Sequence, residues 1–513
     1  MENNLISQEQ GLSELLLIDT VGESSKEISE EFNLPDYVPE VRRVLCVRAQ
    51  AVPESKYVSP QNDGAVLECS GTATYSVIYL DDEGTLCALP LSSSYEITIP
   101  LGKTPYITEV SVHAENASVR VGAPRRLNIK STIKARALAL KKESCNAKIT
   151  PNSSAEQIYL QKREKEISTL DLIQASKEGV KISERLDSHS EEKKPIWCDA
   201  TILLNEVKCQ NNKVAVRGEA NIKCLLVGNS GEDVISRTFP IGEEIEISGT
   251  ESGEVARAYA KCVSLSISNE QNGQNSELFF DLTYDLHGEV IKNKNATVEI
   301  DGYSLRNESE AAYKEIEYQS ALSVGTVSFT VSESPKRKNK EIKDIVTILA
   351  DPVYEKCETK AGKVSLLGSL YVTIIGKREN EESASSEYYS EEYILPIKFE
   401  PDSAKAQGKI TPLCNFALGN LNARYDNEKL HLSCEVVASY LLLDSYKQRV
   451  LDTLEIDVEN EVRKNNAEVR VCFIKEGEEL WDIAKRYHTT EARLREQNDL
   501  IDDALFNKKC LII

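Results

Sequence analysis

Three stretches of the chain alternate apolar and polar side chains with the same beat. Residues 64–79 (GAVLECSGTATYSVIY) place Leu67, Cys69, Gly71, Ala73, Tyr75, Val77 and Tyr79 on one face. Glu68, Ser70, Thr72, Thr74 and Ser76 fall on the other. Residues 213–227 (KVAVRGEANIKCLLV) repeat the pattern with Val214, Val216, Gly218, Ala220, Ile222, Cys224 and Leu226 inward. Residues 363–376 (KVSLLGSLYVTIIG) do so with Val364, Leu366, Gly368, Leu370, Val372 and Ile374. A period of two with one apolar face predicts a strand buried on one side. Each strand carries a glycine at the same inward position, where glycine weakens a strand unless the chain bends or another backbone comes close. The shared position predicts one recurring packing need. In the third stretch Tyr371 and Ile375 make the outer face apolar too, so that sheet is expected to be covered on both sides, by a neighbouring unit or a partner.

Gly71, Gly218 and Gly368 stand 147 and 150 residues apart. A second alternating strand recurs at similar spacing, in residues 125–140, 276–288 and 429–443. Between the two lies a further hydrophobic strand, carried by Ile97 and Ile99, by Ile245 and Ile247, and by Leu395 and Ile397. Repetition at a fixed period predicts a mainly β protein of three repeated antiparallel β domains, each about 150 residues long. The expected units are 20–150, 181–320 and 321–462, with a partly helical lead over 1–19 and a helical or irregular joint over 151–180. Residues 188–194, 332–343 and 379–387 are charged or polar and read as loops inside units.

The pattern changes at residues 468–513. A short strand containing Val469, Val471 and Phe473 leads through Gly477 to a helix with Leu480, Ile483, Ala484 and Tyr487 at the spacing of one apolar face. His488-Thr489-Thr490 interrupts it, residues 491–498 give a second short helix with Leu494 inward, and residues 510–513 supply a closing strand. This βααβ order, with Gly477, Leu480-Trp481, Ile483-Ala484, Tyr487, Thr490, Asn498 and Leu500, resembles the LysM module. In glycan-holding LysM modules the turn usually reads Gly-Asp-Thr, whereas Gly477 is followed here by Glu478 and Glu479, and a Pro-Gly pair of the second loop is replaced by Asn507-Lys508-Lys509. Trp481 points roughly a hundred degrees off the centre of the buried stripe. It is either a half-exposed anchor for a protein partner or a side chain packed over the small sheet. Cys472 and Cys510 could face each other across the terminal strands.

Composition narrows the function. A formal net charge of −22 argues against nucleic-acid or anionic-membrane partners, which need a basic surface. That charge belongs to the repeats, since residues 469–513 hold nine acids against eight bases. No basic segment followed by an apolar core opens the chain, and residues 15–18 are too few to span a bilayer, so membrane insertion is not expected. The thirteen cysteines are scattered, with no zinc-ligand spacing, and fit buried thiols of a reducing compartment. None of the five histidines adjoins a plausible nucleophile or metal partner, and no phosphate loop or nucleophile elbow is present. No enzyme, metal or cofactor is expected.

Three such repeats before a single LysM resemble the spore-coat morphogenetic proteins of Clostridia, whose β repeats carry the domain of unknown function 3794. The resemblance implies a scaffold in the mother-cell cytoplasm at the forespore surface. Its LysM would bind the coat basement-layer ATPase, stage IV sporulation protein A, and the repeats would contact other coat proteins. The partner-binding residues expected on the module are Gly477, Glu478, Glu479, Leu480, Trp481, Asn498 and Leu500, with Trp481 as apolar anchor and the two glutamates setting charge selectivity. The competing readings are a wall-associated protein whose LysM holds peptidoglycan or cortex glycan, and a phage tail or baseplate component.

Overall fold

The computed structural model describes residues 14–61, 64–101, 106–151, 159–190, 193–228, 231–272, 275–380, 385–402, 405–426, 428–462, 470–475, 477–500 and 510–513. The alternating stretches become three six-stranded units of one design. The first contains β1 (Glu14–Asn33), β2 (Arg43–Gln61), β3 (Gly64–Leu80), β4 (Leu86–Leu101), β5 (Tyr106–Ala123) and β6 (Arg126–Ser144). The short β7 (Lys148–Thr150) follows. The second contains β8 (Leu160–Ser190), β9 (Lys193–Gln210), β10 (Lys213–Gly228), β11 (Gly231–Glu246), β12 (Val255–Asn272) and β13 (Asn275–Ser304). The third contains β14 (Asn307–Glu333), β15 (Asp344–Lys360), β16 (Lys363–Asn380), β17 (Ser385–Phe399), β18 (Lys409–Tyr425) and β19 (Leu430–Glu461). In every unit strands two to four form one antiparallel sheet, and strands one, six and five form another, with strand six in the middle. β7 pairs in parallel with β19 and so ties the first connection to the third unit. The chain is mainly β, and among the described residues the only helices lie in the C-terminal module.

Within each unit the two sheets face each other across the inward residues read from the sequence. In the first, Leu67, Cys69, Ala73, Tyr75 and Val77 pack against Ile129, Ile133 and Ala135. Tyr75 reaches across the core, its hydroxyl 2.8 Å from the hydroxyl of Ser131. The second and third units repeat the arrangement around β10 with β13 and around β16 with β19.

The three inward glycines answer a common need. A Cβ on Gly71 would stand 2.1 Å from the carbonyl oxygen of Val52, on Gly218 1.9 Å from that of Leu203, and on Gly368 2.3 Å from that of Val353. In each unit the preceding strand bulges opposite the glycine: Glu54, Asn205 and Glu355 are the residues the pairing skips. The bulge swings a carbonyl over the middle strand, leaving no room for a methyl group.

The units pack on one another through the opposite faces of the same sheets. Ile78, Leu225 and Ile375, each seven residues beyond its glycine, meet in one buried cluster. A second bulge in β2, β9 and β15 adds Leu45, Ile196 and Val346 to it, and Trp197 fills the remaining space. Beside this cluster Arg48 of the first unit bonds Asp199 of the second at 2.6 Å and also Asp351 of the third. A second shared cluster joins Ile18 and Leu138, Leu170 and Ile291, and Leu413, Leu441 and Leu443. There the amide side chain of Gln319 closes both backbone groups of Ile18, accepting from its N–H at 2.8 Å and donating to its carbonyl at 2.9 Å. The apolar outer face expected around Ile375 is thus covered by neighbouring units, while Tyr371 stays exposed.

Three sequence expectations are corrected. Residues 160–180 are no joint but the first half of β8, which pairs with β13 from Leu160↔Ser304 to Ser190↔Asn275, with three register shifts on the way. Its charged run hides an extended strand because the hydrogen-bonding partner lies more than a hundred residues away. The third unit begins at Asn307 and not at 321, and residues 14–19 belong to β1 and not to a helical lead; residues 1–13 of that lead lie outside the described residues. Because the glycine site is closed by backbone, Gly218→Ala is expected to destabilise the protein by ~1–3 kcal/mol, the usual range for overpacking. Chemical denaturation reads this directly, and an unchanged midpoint would remove the close-approach argument.

Candidate functional site

The C-terminal module consists of β20 (Val471–Phe473), α1 (Leu480–Arg486), α2 (Glu491–Asn498) and β21 (Cys510–Ile512). Leu480, Ile483 and Ala484 of α1 and Leu494 of α2 close over Cys472 and Leu511, the inward residues of the two strands. Local chemistry sets the helix ends. The backbone N–H of Glu479 donates to Asp482 at 3.0 Å, and the hydroxyl of Thr490 accepts from the N–H of Arg493 at 3.1 Å. Asp499 ends α2 in the left-handed region. Asn498 is buried and fastens α2 to β21: its amide donates to the carbonyl of Ile512 at 2.7 Å, and its oxygen accepts from the N–H of Ile512 at 2.7 Å.

The module is seated on the far end of β13 and the start of β14. Tyr303 is buried among the module's own core residues, and its ring meets Trp481 edge-on at 5.0 Å. The indole N–H of Trp481 donates to Asp301 at 2.7 Å, the Lys485 ammonium donates to Asp301 at 2.6 Å, and so does the hydroxyl of Tyr313 at 2.6 Å. The Tyr303 hydroxyl donates to the carbonyl of Thr489 at 2.7 Å, and Nδ1 of His488 lies 2.8 Å from the carbonyl oxygen of Ser304. Arg163 of β8 completes the seat with an ion pair to Glu479 at 2.6 Å, its guanidinium 6.0 Å from the centre of the Trp481 ring. Burial pushes the Asp301 carboxyl up, but hydrogen bonds from Lys485, Tyr313 and Trp481 outweigh it and hold the group below the usual carboxylate range.

Most residues expected to hold a partner have other work. Trp481 is 5 % exposed and not half exposed, because Tyr303 and Asp301 cover the face that the module alone would show to water. Leu480 is core, Leu500 packs against that core and Asn498 is a structural staple. Glu478 is tied to Arg486 and accepts from the N–H of Lys475 at 3.0 Å, while Glu479 pairs with Arg163. Gly477 turns the chain at φ +79°, with open space where a Cβ would stand. Asn507-Lys508-Lys509 lie outside the described residues.

The strand expectation also changes. Cys472 and Leu511 point inward, so Val471 and Phe473 point out and not into the core; Val469 lies outside the described residues. Cys510 is exposed and pairs with Phe473, so the two cysteines occupy opposite faces. The outer face of the two-stranded sheet therefore presents Phe473 (75 % exposed), Val471 (54 %) and Ile512 (44 %), with Val471 directly opposite Ile512. This patch was missed because alternation gives two faces without saying which is buried. The signal that decides it is the single inward residue of the closing strand, Leu511.

Chemistry is sparse elsewhere. Among the described residues no group of three or more His, Cys, Asp or Glu is arranged to hold a metal, and no helix is long and apolar enough to cross a membrane. His287 stacks on Tyr259 at 4.9 Å, and His431 lies 2.9 Å from the Ser334 hydroxyl. The Asp301 seat has a defined pH response. A carboxyl whose folded pKa is depressed contributes stability above its unfolded value of about 3.9 and loses it as pH falls through the folded value. The advantage of wild type over Asp301→Asn in thermal stability is expected to hold at neutral pH, to begin to shrink near about pH 4 and to be lost as pH falls through the lower folded value; an advantage undiminished over that whole range would exclude an ionised Asp301 as the seat.

Residues 474–508 match the LysM domain family. Residues 193–270, from the start of β9 through most of β12 in the second unit, match the family described as SipL, SPOCS domain. No curated protein and no solved structure matches the chain. The matched families are binding or scaffold domains, and the SipL family ties the chain to the spore and its coat. With a SPOCS-domain match among like-folded β units and a LysM match after them, the chain matches the architecture of a SipL-like protein.

Proposed function

We propose that the chain is a non-enzymatic scaffold of spore-coat assembly whose LysM module holds the coat basement-layer ATPase, stage IV sporulation protein A, at the forespore surface in the mother cell. The observation that carries this reading is the outward apolar face of Val471, Phe473 and Ile512. A patch of this kind on a strand flanked in sequence by the basic residues Arg470 and Lys475 suits an apolar protein surface with an acidic rim. The three β units give the module a rigid base and leave their own polar surfaces for further coat contacts. The SPOCS match supports the coat reading over a phage tail or baseplate component.

Peptidoglycan binding is the second reading, supported by the LysM match itself. Against it stands the use of Glu478 and Glu479 in ion pairs at the turn where glycan-holding modules usually offer a hydroxyl. Phe473→Glu in the full chain separates the two. Its side chain is exposed, so the fold is expected to survive, and capture of the purified ATPase should fall by about thirtyfold, the loss of an interface hot spot of ~2 kcal/mol. Undiminished capture of the ATPase, or retention by purified peptidoglycan in its place, would reject the scaffold reading in this form.

A further inference from the structure

The LysM module carries a second face that its own chain occupies. On α1, Trp481 and Lys485 lie four residues apart and so point the same way. Both end on one carboxylate, that of Asp301, with the Tyr303 ring against the indole. The module needs little of this for its own fold. Leu480, Ile483, Ala484, Leu494, Cys472 and Leu511 close a core by themselves, to which the repeats add the Tyr303 ring. Leu305 packs beside that ring, and most of the remaining contact is polar: Asp301 to Trp481 and Lys485, Arg163 to Glu479, the Tyr303 hydroxyl to the Thr489 carbonyl, and His488 to the Ser304 carbonyl. Polar contacts between domains of one chain open and close more readily than large apolar ones. A tryptophan with a basic neighbour, once uncovered, has the make-up of an interface anchor.

We propose that the end of β13 is an internal ligand that autoinhibits the module: Asp301 and Tyr303 occupy the Trp481–Lys485 face, and undocking frees it for a protein segment that presents a carboxylate beside an aromatic ring. The proposal rests on the reading that the LysM module is the partner-holding end of the chain. It concerns a different face from Val471, Phe473 and Ile512, which lie on the outer side of the sheet. Occupation of the face by the chain's own residues lowers apparent affinity by the fraction of molecules that are undocked.

Asp301→Lys tests this in the full chain, since it sets a cation against Lys485 and removes the acceptor of the indole N–H. Asp301→Ala is the second variant, and Asp281→Lys, on the exposed face of the same strand, controls for charge. With tryptophan labelled at the indole nitrogen, the two signals belong to Trp197 and Trp481. The Trp481 signal is expected to move to the position of a solvent-exposed indole in both Asp301 variants, while that of Trp197, buried between the repeats, stays in place. Binding is then measured with two probes, the purified ATPase and purified peptidoglycan. The opened variants should bind the ATPase about tenfold or more tightly than wild type, the factor set by a docked population of roughly nine in ten, with no gain for peptidoglycan and none for Asp281→Lys. A freed Trp481 signal with unchanged ATPase affinity would overturn autoinhibition, and so would a Trp481 signal that neither Asp301 variant moves. A gain for peptidoglycan alone would overturn the protein-segment chemistry. Each comparison is between Asp301 variants and wild type, so the outcome is separate from that of Phe473→Glu: loss of the outer-face reading leaves this test standing.

Discussion

The whole molecule turns on burying one sheet of each unit on both faces. A three-stranded sheet with one apolar face is satisfied by its own sandwich, but β3, β10 and β16 also carry Ile78, Leu225 and Ile375 on the reverse side. These residues find cover in one another. Fully burying such a side chain is worth ~1.5–3 kcal/mol, so the shared cluster rewards each unit only in the presence of the other two. The bulges that add Leu45, Ile196 and Val346 to it are therefore part of the assembly and not flaws in the strands. One consequence is that the described β units pack directly on one another. The β units form a single platform, and the C-terminal module is set on one edge of it.

How much of this could be read from the sequence depended on how local the cause was. The inward faces were legible because the period of two is a property of neighbours along the chain, and every residue assigned inward from Leu67 to Val77 is buried. The glycines were legible for the same reason: a glycine at a fixed place on a buried face demands a close backbone, and the carbonyls of Val52, Leu203 and Val353 supply it. Residues 160–180 were not legible. Their order comes from pairing with β13, and a charged run such as Lys162 to Glu166 looks alike in a strand edge and in a loop.

The C-terminal module divides the same way. Its helices, core and caps follow from spacing within a few residues, and Leu480, Ile483 and Leu494 are buried as expected. The destination of Trp481 does not. Its partners, Asp301 and Tyr303, are separated from it by about 180 residues and lie in what reads as an unremarkable strand end, so no local rule could cover the indole. The sheet face fell between these cases. Alternation was visible, but the choice of face needed the single inward leucine of the closing strand.

Arg48, gripping one carboxylate from each of the other two units, shows what the ancestral sameness of the repeats has given up. Three copies of the first unit would gather three guanidinium groups at that point, and three copies of the second would gather three carboxylates. Either trio, gathered at these partly exposed positions, repels itself. The copies have become non-interchangeable seats around a table, so a recombination that traded one for another would keep the fold of each and lose the fit among them.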